Sequence, residues 1–227
     1  MVGLVGNLFN AIVWNPVSKD IATHTNINDT YSASKKYAEL AVWEWAEAHP
    51  HVDVTTSKSI SIPLFLHLTL PFFFPHRTVL PPYIYGPFPS EHIPVPKPDF
   101  ETISTDLMIY NLLFPNGVYL PSPGHVDFRD VATAHIGALE GKPDKKNKKR
   151  IILISPHSLT LKQVMDIIKK HHPELESRLI TAPIPEFPYD KVDVDYERVE
   201  QVTGMRKQDF HTLEEVWLYD FILFFFL

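Results

Sequence analysis

There is no cysteine among the 227 residues. That excludes a disulfide framework and a thiolate metal site, and it fits a reducing compartment. Basic charge is not in excess: 21 Lys and Arg stand against 27 Asp and Glu, a formal net charge of −6 at pH 7. Such a balance argues against nucleic acid as a partner held through its phosphates. Glycine is scarce, 8 residues against 21 prolines, and the prolines crowd into 63–98 and 173–188. No apolar run reaches the about 20 residues that a membrane-spanning helix needs. The uncharged run Ile60–Phe74 is broken by Pro63, His67 and Pro71, and the tail VWLYDFILFFFL contains Asp220. Membrane insertion is therefore not expected. The N-terminus MVGLVGNLFNAIVWNP lacks a basic start and a small-residue cleavage site, so it does not read as a signal peptide. The Asn28-Asp29-Thr30 sequon is then idle, and the expected location is cytoplasmic.

What is present is an ordinary globular balance, 44% hydrophobic and 21% charged, in a chain of one domain or one and a half. SASKKYAELAVWEWAEA predicts a helix over 32–48, because Tyr37, Leu40, Ala41 and Trp45 recur at three- and four-residue spacing. His49-Pro50 ends it. VDVTT predicts a short strand, and TVLPPYIYGP a strand end running into a loop. A second helix is expected over 100–113, stopped by Pro115-Asn116-Gly117. HVDFRDVATAHIGALEG reads as a strand end followed by a helix from Asp130 to Glu140. The basic stretch 142–150 reads as a solvated loop into the strand IILIS. Thr160 and Gln163 have capping-box spacing, opening a helix with Leu161, Val164, Ile167 and Ile168 on its apolar side. A last amphipathic helix is expected within 190–203. Strands alternating with helices imply a mainly parallel α/β sheet.

The stretch that points to chemistry is YSASK, Tyr31 to Lys35. An i, i+4 spacing puts a phenol and an ammonium on one helix face, one turn apart. A lysine charge there favours the phenolate and makes the tyrosine a better proton donor and acceptor. The same ammonium can hydrogen-bond a sugar hydroxyl. Carbonyl reduction by hydride needs such a pair, since a proton must reach the oxygen as hydride reaches the carbon. Alone the spacing is common in surface helices; here it opens an amphipathic helix followed by a strand and by Pro81-Pro82-x-x-Tyr85-Gly86-Pro87.

TYSASKKYAELAVWEWAEAHPHVDVTT, LPPYIYGPF and HVDFRDVATAHIGALEG, in that order, resemble the later half of an extended short-chain dehydrogenase/reductase of the NAD-dependent epimerase/dehydratase family. The nearest branch is dihydroflavonol-reductase-like or fungal carbonyl-reductase-like. The resemblance implies a doubly wound, Rossmann-type parallel sheet with a small C-terminal α/β substrate lobe. It implies that Tyr31 is the acid/base and that Lys35 tunes it and holds the nicotinamide ribose. It implies that Leu80–Ile84, with Pro81, Pro82 and Ile84, passes beside the nicotinamide. NADP or NAD is the implied cofactor, NADP being the branch's habit, and a small carbonyl compound or alcohol the implied substrate. Asp127 and Arg129 are expected to pair and cap rather than to catalyse.

Two features of the family are missing. There is no strand, G-x-x-G-x-x-G turn and helix to hold a pyrophosphate; GLVGNLF lacks the third glycine and a preceding strand. There is no serine before Ser18, so the family's carbonyl-binding serine has no counterpart. A truncated, catalytically inactive remnant is thus the alternative to a working reductase. Residues 57–78 also interrupt what the family keeps continuous. Ser57-Lys58-Ser59 can be encoded with GTAAGT, the following Phe, Leu, Pro and Ser codons are pyrimidine-rich, and Thr78-Val79 can supply a terminal AG. The expectation is a translated intron within a nucleotide-binding remnant (1–87), then a substrate lobe with the final Rossmann elements (88–215) and an aberrant apolar tail (216–227). The twelve histidines are scattered without metal-ligand spacing; His171 and His172 should point to different faces. The acidic group Asp193, Asp195 and Glu197 reads as a solvated helix start, and 173–188 as a rim loop. Oligomeric state is not legible.

Overall fold

In a computed structural model the described residues are 14–20, 27–52, 54–57, 77–87, 105–119, 124–140, 149–157, 160–186 and 193–216. The uncharged run Ile60–Phe74, the GLVGNLF stretch and residues 217–227 lie outside them. In chain order the elements are α1 (Ile27–Ala48), β1 (Thr55–Ser57), β2 (Arg77–Leu80), β3 (Tyr83–Tyr85), α2 (Asp106–Tyr110), β4 (His125–Asp127), α3 (Phe128–Glu140), β5 (Lys149–Ile152), α4 (Leu161–His171) and α5 (Tyr196–Thr203). Every strand pair is parallel: β1 with β2, β2 with β5, and β3 with β4. The α/β expectation is met.

The chain divides into two compact units. The first comprises 1–81, 133–153 and 193–206. It holds the three-stranded sheet β1-β2-β5 and helix α1, whose buried positions Ala33, Trp43 and Ala46 recur at helical spacing. Val79 and Ile151, paired across β2 and β5, are buried at its centre. Helix α5 packs beside β5 and buries Val199 and Val202, and Asp195 caps it by accepting from Arg198 N at 2.9 Å.

The second unit comprises 82–132, 154–192 and 207–227. Its core gathers Tyr85, Ile109, Leu112, Val164, Ile168 and Val216 with their neighbours. The capping box of α4 forms as expected: Gln163 N donates to Thr160 Oγ1 at 3.1 Å, and Thr160 N to Gln163 Oε1 at 3.0 Å. Val164 and Ile168 are buried and Leu161 and Ile167 pack against the same core.

Several expectations are corrected. TVLPPYIYGP is not a strand end running into a loop but two strands, β2 and β3, parted by Pro81-Pro82. Proline there cannot donate to a ladder, so pairing stops and restarts. The basic stretch is strand from Lys149 onward, and Arg150 is partly buried rather than solvated. The stretch 173–188 is not simply a rim loop: Pro173–Arg178 is a 3-10 helix, and Leu175, Leu179 and Ile180 sit in the core. Ser57 and Thr78, the outer residues of the expected insert, lie in β1 and β2, and Val216, first of the expected tail, is buried in the core.

Candidate active site

Helix α1 begins before the predicted 32, with Asp29 in its first turn, where a carboxylate suits the N-terminal dipole. Tyr31 therefore stands one turn inside the helix and Lys35 the next turn on. The two are brought together: Lys35 Nζ lies 5.4 Å from the centroid of the Tyr31 ring. Ser34 Oγ donates to Tyr31 O at 2.7 Å. The adjacent Lys36 is engaged elsewhere, its Nζ donating to Val17 O at 2.8 Å and standing 5.2 Å from the Tyr37 ring. Lys35 is thus the lysine of this pair that faces Tyr31.

Tyr31 is 43% exposed, yet partial burial pushes its phenol up from the ordinary value. This departs from the expected preference for phenolate. The ammonium stands over the ring face, a cation–π arrangement, and desolvation dominates the hydroxyl. At neutral pH Tyr31 holds its proton.

Pro81 closes the first unit, and Pro82 and Ile84 belong to the second. Leu80 O accepts from Leu153 N at 3.1 Å. Ile84 pairs with Val126 across β3 and β4, and its carbonyl accepts from Thr105 Oγ1 at 3.3 Å. Gly86 follows with φ +129, and a Cβ there would come within 2.8 Å of the Phe128 ring and 2.9 Å of Asp127 Oδ2. Only glycine fits this turn.

The HVDFRD signature builds a charged knot in the second unit. Asp127 is buried; its Oδ1 accepts from Arg129 N and Nε at 2.8 Å each, and its Oδ2 from Arg129 Nη2 at 2.7 Å. Pairing and capping are what the sequence predicts for these two. The pairing hydrogen bond holds the Arg129 guanidinium above its ordinary value. Asp130 accepts from His211 N at 3.1 Å and meets His211 Nδ1 at 2.6 Å; burial raises its carboxyl, with His211 opposing. His171 and His172 do turn to different partners, Glu214 and Glu174. Among the described residues no group of His, Asp and Glu could hold a metal ion, and no helix is long and apolar enough to cross a membrane.

Three features escaped sequence reasoning. Glu39 is buried and paired with Arg150 Nε at 2.7 Å. Its place on the apolar side of α1, in step with Ala33, Trp43 and Ala46, was an available signal, since a buried carboxylate requires a partner. Asp106 at the start of α2 is pushed up to about 7 by burial. His125 is buried in β4 with no signal in its neighbours to mark it.

No family model matches the sequence. Among curated proteins the chain is 29% identical over 177 residues to an uncharacterised oxidoreductase of Schizosaccharomyces pombe, covering 75% of this chain and 43% of that one. It is 25% identical over 175 residues to the NADPH-dependent methylglyoxal reductase GRE2 of Saccharomyces cerevisiae, covering 75% and 43%. It is 28% identical over 191 residues to the ketoreductase azaE of Aspergillus niger, covering 81% and 48%. The chain spans about half the length of the curated relatives it matches. Among solved structures, Gre2 from Candida albicans superimposes with a TM-score of 0.65 at 24% identity, over 94% of this chain and 56% of that one. Yeast methylglyoxal/isovaleraldehyde reductase Gre2, complexed with NADPH, gives a TM-score of 0.53 at 20% identity, over 84% and 53%. These likenesses identify the α/β fold as that shared with the Gre2 structures.

Proposed function

We propose that this chain, a relative of the extended short-chain dehydrogenase/reductases of the NAD-dependent epimerase/dehydratase family, serves the reduction of a small carbonyl compound, with NADP(H) preferred over NAD(H). The observation that carries the reading is the Lys35 ammonium 5.4 Å from the Tyr31 ring centroid on a solvent-reachable turn of α1. The NADPH dependence of the yeast relative supports the cofactor preference.

When bound, the nicotinamide supplies hydride to the carbonyl carbon. Tyr31 hydrogen-bonds the carbonyl oxygen and gives up its proton as charge gathers there. A phenol held above its ordinary value is fully protonated at neutral pH, so it is ready as a donor. Lys35 answers the cost: its ammonium, close to the ring, stabilises the phenolate that remains and can hydrogen-bond a ribose hydroxyl. Tyr31 and Lys35 fit the nicotinamide-ribose end of the cofactor; for Pro81, Pro82 and Ile84 a cofactor contact is what the family resemblance implies. The sequence contains no G-x-x-G-x-x-G turn for the pyrophosphate. That lack favours a second reading, that the residues of this chain do not catalyse on their own.

Purified chain titrated with NADPH separates the two. A saturable change in NADPH fluorescence, with oxidation upon adding methylglyoxal or another short aldehyde, is the expected outcome for the reductase. Neither signal at millimolar NADPH leaves the non-catalytic reading.

A further inference from the structure

β4 carries a histidine where the second unit's core would take an apolar ring. His125 is 1% exposed and stands opposite Tyr83 in the β3–β4 ladder. Its Nε2 is the single buried side-chain nitrogen or oxygen without a hydrogen-bond partner among the described residues. Its carbonyl accepts from Ser155 N at 2.8 Å, and Ser155 Oγ accepts from His157 N at 3.2 Å. This chain of contacts brings a second imidazole within electrostatic reach. Asp127, two residues along the strand, answers a positive charge there only in part, because both its oxygens already accept from Arg129. Asp130 is likewise committed to His211.

We propose that His125 is an acid-operated switch: its protonation parts β3 from β4 and so frees the Pro82–Ile84 stretch. A neutral imidazole is tolerated here at the cost of one unmade hydrogen bond. A cation is not, since its Nε2 would be buried without a hydrogen-bond partner and with His157 in electrostatic reach. The surroundings already act in that sense: burial first, then His157, hold the imidazole down at about 4, with Asp127 opposing. The folded value lies below the about 6.5 of a free imidazole, so the open form takes the proton first. The closed sheet is fully favoured above about pH 6.5, and as pH falls toward 4 the ratio of open to closed rises by up to about tenfold per unit. The consequence for cofactor contact rests on the proposed function. The switch itself does not, and its test reads the sheet rather than activity.

The test follows the full chain from about pH 7.5 to 4, the window set by linkage, by ring NMR of the histidines, by hydrogen exchange of the β3 and β4 amides, whose protection should fall with pH, and by urea unfolding. The His125 ring is expected to stay silent through the range where free histidines titrate. The wild-type unfolding midpoint should fall relative to that of His125→Phe as pH drops across the window, since Asp106, pushed up to about 7, and the other titrating groups act on both proteins alike. Parallel profiles for the two proteins, or a His125 ring titrating near 6.5 in the folded chain, would overturn the proposal. Should His125→Phe fail to fold, the wild-type ring titration alone decides.

Discussion

Glu39 and Arg150, 111 positions apart in the chain, are locked together inside the first unit. Arg150 Nε and Nη2 reach the two carboxylate oxygens at 2.7 and 3.3 Å, Trp43 Nε1 donates to Oε1 at 3.1 Å, and the guanidinium stacks 4.1 Å from the centroid of the Trp14 ring. The pair ties α1, which carries Tyr31 and Lys35, to β5.

Removing one partner should cost far more than removing both. Arg150→Ala leaves a buried carboxylate without its guanidinium, and such losses run to about 3–5 kcal/mol. Glu39→Leu combined with Arg150→Met should recover most of that, since apolar groups of similar volume carry no unmet charge. Urea unfolding of the three variants checks the order. A single-variant loss below about 1 kcal/mol, the size of an exposed pair, would show that water reaches the site.

Gly137 on α3 sets a second prediction. A Cβ there would land on the Thr203 carbonyl oxygen and 2.7 Å from its carbon. In an open helix Gly→Ala gains about 1 kcal/mol. Here the obstacle is backbone at the end of α5, which cannot swing aside as a side chain would. Gly137→Ala is therefore expected to destabilise by about 1–3 kcal/mol, the range for overpacking, with a lower melting temperature as the readout.

Local grammar was legible wherever a few neighbouring residues decide the outcome. Thr160 and Gln163 announce their capping box, and the α1 spacing announces its helix but not its buried side, since Trp45 of that spacing is exposed while Trp43 is buried. The Tyr31–Lys35 pair was legible too, because helical geometry alone puts four-apart residues together. What escaped depends on distant partners. Arg150 reads as one more charge in a basic run until β5 pairs with β2 and brings it to Glu39. Pro81-Pro82 reads as a strand's end until β4 offers Tyr83 a new ladder. The direction of the Tyr31 shift was misjudged for a related reason. Spacing reveals the neighbouring charge but not how much solvent the fold removes from the hydroxyl.

Tyr31→Phe gives the catalytic prediction. The change deletes one hydroxyl on a half-exposed ring, so stability should hold within about 0.5 kcal/mol, as for surface changes generally. If the chain oxidises NADPH, the rate should fall by about 10²- to 10⁴-fold, the worth of a positioned general acid. In the intact chain the phenolate absorbance assigned to Tyr31, by difference from this variant, should appear only above the ordinary tyrosine range, as burial requires. Loss of proton donation with rising pH would then begin later than for a free phenol. An unchanged rate in Tyr31→Phe would remove the residue from the chemistry.

Residues 57–78, expected from sequence to be translated intron, give the last prediction. The strands at their two ends lie side by side: Thr56 pairs with Thr78 and Ser57 with Val79 in a parallel register, and Thr56 Oγ1 meets Thr78 Oγ1 at 2.6 Å. Deleting 57–78 joins Thr56 directly to Val79, so a threonine again precedes the buried valine. The incoming chain need shift sideways only by about one strand spacing, 4.8 Å, to occupy the β2 position. β1 is lost as a neighbour, while the pairing of Val79 and Leu80 with Ile151 and Ile152 needs nothing from the deleted segment. The shortened chain is expected to fold, with β2–β5 amide protection from hydrogen exchange retained and solubility increased by removal of the uncharged run Ile60–Phe74. Loss of that protection on deletion would mean that β1 and the segment after it belong to the working fold.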